Sequence, residues 1–426
     1  MQKRNNLFAA FAFLMVLGLG ACDSNTSINP PADDYFLKYF GHDGNQTGRD
    51  LVVNADGTYT LLGTTTSLDS GTQIYLVRAD NRGNVIWEKS FGGLHDDEAV
   101  DIEPTSNGYV TVNNLKDASG HYYIRISLWS QSGIETNFAE YKVKANYDAR
   151  ASAVTPTSSG FLVAGSTTDV SLKPDGPLGT TDIMDALSLK YDQTLVKDLS
   201  YYDALGYSDS DASTRIFESP IPGKFYCFGY TDGFSNASNS SLEFWSAEFD
   251  NNGFQNSEHY GTLNDEYLGA AVFASKVEAE VGYIMVGPSE NAVGDIDFYI
   301  EKLTQDLSPS GLFPGRLMSL SLGKYSSMTQ LGHAAAAQTS AGEYLVSGNS
   351  VSNPLNGSDI FLWKVGINGI PTWKSPILFG GAGDDTCGNV VELPDGRIVL
   401  VGTMSVGKDN QTKMVLIKLN SNGLFK

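Results

Sequence analysis

The sequence predicts an all-β fold, a seven-bladed β-propeller with four antiparallel strands in each blade. Three observations carry this. The first is a repeat: a turn glycine leads into a short apolar run that ends on a second glycine. It occurs from Gly57 to Gly63, Gly160 to Gly165, Gly223 to Gly229, Gly282 to Gly287, Gly342 to Gly348 and Gly396 to Gly402, with a degenerate copy from Gly108 to Asn113. The first glycines lie 51, 52, 63, 59, 60 and 54 residues apart, a period that marks a propeller when the unit holds only short strands. The second is composition. The 45 glycines and 18% charged residues suit tight turns, and no long stretch beyond the N-terminus keeps a 3.6-residue period. The third lies at the ends. The chain stops just after the seventh C–D turn, at Gly423, so the seventh blade lacks most of its outer strand. Residues 35–40 resemble the outer strands at 87–91 and 373–379. They are expected to complete the last blade and close the ring, which removes exposed sheet edges.

The elements follow in chain order. Lys3 and Arg4 precede an apolar run of 13 residues, 7–19, which is short for a bilayer span. The run ends in Leu19-Gly20-Ala21-Cys22, which resembles the lipobox of bacterial lipoproteins. That resemblance implies cleavage before Cys22 and a diacylglyceryl group on its thiol. Residues 1–21 are then a lipoprotein signal peptide, and an ordinary cleaved signal peptide is the alternative. Acylation contributes about 0.8 kcal/mol per buried CH₂, so several chains anchor stably. Residues 22–34 are polar and proline-broken, a lipidated tether that reaches roughly 40 Å when extended. Residues 35–426 form the propeller.

In the first repeat, strands A, B, C and D are expected at 50–54, 58–62, 74–80 and 85–91. Further C strands are expected at 122–128, 186–192, 244–250, 298–304, 361–367 and 414–420. Gly83, Gly133, Gly253, Gly369 and Gly423 supply positive φ to the C–D turns, and the third repeat, Asp192-Gln-Thr194, lacks that glycine. The unit Asp80-Asn-Arg-Gly83, Trp87, Phe91-Gly92-Gly93 returns as Ile370-Pro-Thr-Trp373, Phe379-Gly380-Gly381. It resembles the repeat propellers of bacterial secreted and lipid-anchored proteins and is more distantly similar to quinoprotein-like propellers. The resemblance spans residues 35–426 and implies a fold rather than an activity, because propellers host enzymes, binders and scaffolds alike.

The formal charge is −21. An acidic body repels nucleic-acid phosphates, and no basic patch with interleaved aromatics offsets it, so nucleic-acid binding is excluded. Cys227 and Cys387 fall in non-adjacent repeats and are expected to be buried free thiols.

Loops B–C and D–A are longer than the A–B and C–D turns, which marks their shared face as the binding side. The D–A loops carry His95-Asp96-Asp97, Tyr147-Asp148, Tyr207 to Asp211, Asp265 to Tyr267, Tyr325 and Asp384-Asp385. The candidate binding residues are Tyr147, Tyr207, Tyr267, Tyr325, His95, Asp96 and Asp384. Such a ring suits calcium or sugars stacked on tyrosine faces. The opposing reading is that the recurrent Asp97, Asp148, Asp211, Asp265 and Asp385 accept backbone N–H bonds and brace the loops. No cofactor is expected, and no nucleophile elbow, metal helix or phosphate loop occurs. The expected role is a binding or scaffolding module for a membrane protein complex at the outer membrane, its periplasmic or surface-facing side left open. A glycan-binding lipoprotein is the alternative, followed by a carbohydrate-active enzyme using a carboxylate pair.

Overall fold

The structure is a computed structural model. It describes residues 35–426 apart from 68–70, 173–183, 202, 206–209, 233–241, 251–252, 263–264, 278–280, 291–295, 312, 314, 319–332, 351–356 and 408–410. Residues 1–34, where the signal peptide, the tether and the lipidated Cys22 are expected, lie outside the described residues.

Seven four-stranded antiparallel sheets form the seven expected blades. Strand β1 (Phe36–Phe40) comes first and belongs to the last blade. Blade 1 holds β2 (Gln46–Val53), β3 (Tyr59–Ser67), β4 (Gly71–Ala79) and β5 (Val85–Phe91). Blade 2 holds β6 (Glu98–Thr105), β7 (Gly108–Lys116), β8 (Tyr122–Ser130) and β9 (Glu135–Tyr141). Blade 3 holds β10 (Ala149–Pro156), β11 (Gly160–Thr167), β12 (Asp185–Asp192) and the short β13 (Ala204–Leu205). Blade 4 holds β14 (Asp211–Glu218), β15 (Lys224–Thr231), β16 (Glu243–Asp250) and β17 (Gly253–Tyr260). Blade 5 holds β18 (Ala270–Ala274), β19 (Gly282–Glu290), β20 (Ile296–Thr304) and β21 (Arg316–Met318). Blade 6 holds β22 (Ala335–Gln338), β23 (Tyr344–Ser350), β24 (Asp359–Val365) and β25 (Ile377–Phe379). Blade 7 holds β26 (Thr386–Glu392), β27 (Ile398–Val406) and β28 (Gln411–Leu419), with β1 as its outer strand. Phe36 pairs with Lys418 and Phe40 with Met414, so the N-terminal strand closes the ring as expected. Strand A of the first repeat starts at Gln46, four residues before its expected start, because β3 runs on past Leu62 and pairs Gly63, Thr64 and Thr65 with Gly48, Thr47 and Gln46.

The repeat has a physical reason at each end. The first glycine turns the chain from strand A to strand B with positive φ, +78° at Gly57 and +83° at Gly396. The second glycine lies where strand A crosses closest. A Cβ on Gly63 would sit 1.8 Å from the Thr47 carbonyl oxygen, and one on Gly229 would sit 1.8 Å from that of Ala212. Only a residue without a side chain fits there. Among the described residues the same crossing carries a bulge in blades 1, 2, 3, 4 and 7, and the bridge between Glu266 and Ser289 ahead of β18 shows the same one-residue shift in blade 5. The A–B register skips one residue at Arg49, Val100, Ser152, Thr214 and Gly388. A bulge turns the strand and re-aims the side chains around it.

Between these ends each B and C strand is apolar on both faces, because it is covered by a blade on either side. Leu61 and Val77 pack toward blade 7, against Val399, Val401 and Leu416. Their neighbours Leu62 and Leu76 pack toward blade 2, against Ile102 and Tyr109. Burying such a side chain contributes about 1.5–3 kcal/mol. Polar bonds cross the same seams: Asn114 receives the Ala151 N–H at 2.7 Å and Asn349 that of Cys387 at 2.7 Å.

Two C–D turns lack the glycine. Leu195 takes φ +63° where the third repeat has no glycine, and Leu307 takes φ +65° in the fifth. Each costs on the order of 1–3 kcal/mol of backbone strain. Each is also buried in an inter-blade cluster, and that burial offsets the strain. Cys227 and Cys387 are free and buried as expected. Burial pushes the Cys387 thiol up to about 11, which keeps it protonated and inert.

Candidate functional site

The A strands of the blades surround a central cavity of about 410 Å³, within the usual size range of ligand pockets, roughly 300–1,000 Å³. Its wall is of two kinds. Blades 1, 2, 4 and 7 supply Arg49, Asp50, Asp101, Glu103, Arg215 and Asn389. Blades 5 and 6 supply Ala270, Ala271 and the four alanines from Ala334 to Ala337.

The charged side is built from the bulges, because Asp50, Asp101, Arg215 and Asn389 each follow the skipped residue of their strand. Asp50 receives the backbone N–H of Ile102 on blade 2 at 2.9 Å, and Asp101 receives that of Val154 on blade 3 at 2.7 Å. These carboxylates therefore staple each blade to the next. Burial raises the Asp50 carboxyl well above its ordinary range, and Asp101 beside it raises it further. Burial thus favours the uncharged form of Asp50, which can share a proton with Asp101. Arg215 reaches Asp101 at 2.8 Å and also pairs with Glu103. Burial pulls Arg215 down, but the two acids outweigh it and its net shift is upward. Burial likewise raises Glu103 despite Arg215.

Toward the D–A end of the cavity stand Arg49, in the first half of β2, and His333, just ahead of β22. The Arg49 Nε donates to the Val100 carbonyl at 3.3 Å, and its two terminal nitrogens have no hydrogen-bond partner among the described residues. The acids around it are committed elsewhere. Glu98 holds Arg150 at 2.7 Å, Asp101 holds Arg215, and Asp50 accepts from Leu51, Ile102 and Asn389. Burial lowers Arg49 somewhat, yet a guanidinium stays charged. His333 has a buried Nε2 without a hydrogen-bond partner among the described residues. Burial, then Arg49, pulls it well below the ordinary histidine range, so it is neutral. Between these two blades, blade 7 has Gly388 at its bulge, where a Cβ would come within 2.7 Å of the Arg49 carbonyl oxygen. The backbone is packed too closely there for any side chain.

The residues expected to form the binding face are distributed differently. Tyr207 and Tyr325 lie outside the described residues. Tyr267 stacks on Tyr230 with ring centroids 4.1 Å apart and hydroxyls bonded at 2.7 Å, a packing role between blades 4 and 5. Asp96 accepts the Thr72 N–H at 3.0 Å and Asp384 accepts the Ser358 N–H at 3.1 Å, tying each D–A loop to the preceding B–C loop. Asp97 and Asp385 brace the next turn of each loop, accepting from Gly93 and Lys116 and from Gly381 and Ser405. Asp148 and Asp265 do the same for Tyr122 and Leu242. The bracing reading therefore describes these aspartates. Tyr147 is 42% exposed, and His95 is exposed beside it in sequence order of loops. Among the described residues no group of three or more His, Cys, Asp or Glu side chains is placed to hold a metal ion.

Sequence reasoning passed over Arg49, Asp50, Asp101, Arg215 and His333. A signal for part of this set was present: Asp50, Asp101 and Asn389 each precede the first glycine of their repeat by seven residues. A second concavity of about 870 Å³ lies on the outer side of blade 1, where His42 meets Glu88 at 2.8 Å and Glu88 also bonds the Tyr75 hydroxyl.

No protein-family model matches the chain, and no curated protein matches it. Solved structures do. An α-L-arabinanase of Penicillium chrysogenum complexed with arabinobiose is 13% identical, with 93% of this chain and 97% of that chain covered and a TM-score of 0.42. An α-L-arabinofuranosidase of Fusarium graminearum is 11% identical over 91% and 96%, with a TM-score of 0.42. An endo-arabinase of Bacteroides thetaiotaomicron is 13% identical over 62% and 92%, with a TM-score of 0.34. Likenesses this distant bear on neither the chemistry of the channel nor its ligand.

Proposed function

We propose that the chain is a lipid-anchored binding propeller of the bacterial cell envelope that takes a glycan into the D–A end of its channel. One observation carries this reading. The axial cavity joins a charged wall to an alanine wall, and at its mouth Arg49 and His333 offer hydrogen-bonding groups that the described fold does not use. Concave sites with a few convergent polar groups on an apolar lining are where small ligands bind. The lipobox at Leu19 to Cys22 supports the anchor, and the expected membrane is the outer one. Binding is favoured over hydrolysis because the channel's carboxyl pair is spent. Asp50 and Asp101 hydrogen-bond to one another and to the next blade, whereas glycosidase carboxyls stand about 5 Å or more apart around the sugar. Calorimetry of the full chain against a panel of neutral and acidic oligosaccharides tests it. Binding that is lost when Ala336→Phe blocks the cavity supports the reading; a panel without any binder sinks it.

A scaffolding role in a membrane complex is the second reading. Leu94, 81% exposed, and Tyr147 stand on neighbouring D–A loops and favour protein contact there. Native purification with mass spectrometry separates the two: a stoichiometric membrane partner abolished by Leu94→Asp establishes the scaffold.

A further inference from the structure

We infer that the channel site recognises a sugar acid, holding the ligand's carboxylate on the guanidinium of Arg49 and a ring hydroxyl on His333. This rests on the glycan-binding reading above and deepens it.

Charge is the first argument. The chain as a whole is strongly acidic, yet at the D–A end of the channel the unsatisfied charge is positive. Every acid near Arg49 already serves another donor: Glu98 serves Arg150 and Asn114, Asp101 serves Arg215 and Val154, and Asp50 serves Leu51, Ile102 and Asn389. The distant surface acids do not cancel this. Exposed charges are screened over about 8 Å at physiological salt, whereas a charge inside a protein cleft is screened much less.

Geometry is the second. A guanidinium anchored through Nε presents its two terminal nitrogens as a fork, and a carboxylate meets such a fork with two parallel bonds. An inorganic ion would satisfy the fork alone. It would leave the His333 Nε2 and the alanine wall without a use. A neutral imidazole donates to or accepts from a hydroxyl according to its tautomer. Ala335 and Ala336 are buried, small and apolar, and leave room for the C–H face of a sugar ring. A carboxylate, a hydroxyl and an apolar ring face on one small molecule describe a hexuronate or a related sugar acid.

The test is calorimetry on the full chain with sodium glucuronate and sodium galacturonate, free and as the end residue of disaccharides, against glucose, galactose and their neutral disaccharides. A charge-assisted pair lost from a desolvated site costs at least about ten-fold. An acid is expected to bind at least ten-fold tighter than its neutral counterpart. Arg49→Gln should remove that preference, and His333→Phe should weaken acid and neutral sugars alike. Arg49→Lys keeps the charge but not the fork, and a loss of three-fold or more is expected. It carries the test if Arg49→Gln melts far below the parent. Equal affinity for acid and neutral sugars, or an Arg49→Gln protein that keeps its preference, overturns the carboxylate assignment and leaves the glycan reading standing. Failure of every sugar to bind overturns both.

Discussion

Blades 1, 2, 4 and 7 present Arg49, Asp50, Asp101, Arg215 and Asn389 to the channel, while blades 5 and 6 present mainly alanines. Both walls come from the same repeat, with the same glycine-framed B strand. They differ in the side chains that strand A carries. On the charged side the residue after the bulge is Asp50, Asp101, Arg215 or Asn389, whereas blade 5 has Ala270 after the same one-residue shift and β22 begins with three alanines. The polar side chains bond to other blades, so they hold the ring together. The alanine-bearing strands carry small side chains, so the cavity has its room on that side. A closed propeller can thus give one side of its axis to stability and the other to space.

The contrast is broken most strongly at Arg215. Arg215→Met leaves Asp101 and Glu103 without their cation, and removing one partner of a buried pair costs about 3–5 kcal/mol. Urea unfolding should show that loss. A loss under 1 kcal/mol would mean that the charged wall does not hold the ring. Gly388→Ala comes next. Its Cβ would meet the carbonyl oxygens of Arg49 at 2.7 Å and Val401 at 2.8 Å, and overpacking of this kind costs about 1–3 kcal/mol.

A smaller effect is expected from pH. Asp50 and Glu103 are raised by burial, so their stabilising contribution is full below the unfolded carboxylate value of about 4 and is lost as pH rises through their raised folded values. His333 has the opposite sign. It is lowered, so its contribution is present above about 6.5 and is lost as pH falls through its folded value. As pH rises above about 4 the two carboxyls therefore lower the melting temperature. The fall should shrink in Asp50→Asn, and an unchanged slope there would assign the effect to other groups. The smallest change belongs to the alanine wall: Ala336→Val adds two carbons in the cluster between blades 5 and 6, and about 1 kcal/mol, the low end of overpacking, is expected by urea unfolding while it weakens glycan binding.

The fold was legible because its determinants are local and repeated. A turn glycine, an apolar run and a close-contact glycine are written into each copy, and Phe36 to Phe40 carries the pattern of an outer strand that its own neighbourhood lacks. The site was hardly legible, and the reason is geometric. Asp96, Asp384 and Tyr267 stood out as polar or aromatic residues in long loops, yet their groups are taken up by Thr72, Ser358 and Tyr230. Arg49 and His333 belong to blades whose nearness follows only from closing the ring, and neither recurs from repeat to repeat. The seven-residue offset of Asp50, Asp101 and Asn389 from the turn glycine was the available sign that strand A carries more than packing. The third and fifth C–D turns show a milder limit. A missing glycine announced a departure at Leu195, but only burial explains why leucine is kept: Leu195→Gly relieves about 1–3 kcal/mol of strain and forfeits about 2–5 kcal/mol of packing.

Ring closure by β1 also sets an order in time. Phe40 leaves the ribosome 374 residues ahead of its partner Met414. At about 5–20 residues per second that is a wait of roughly 20–75 s. Throughout it β1 is an apolar strand with no sheet to join, and blades 1 to 6 can pack in sequence while the seam stays open. The last step of folding is therefore a meeting of the oldest and the youngest parts of the chain, and anything that shields β1 in the interval governs how much protein reaches the closed ring.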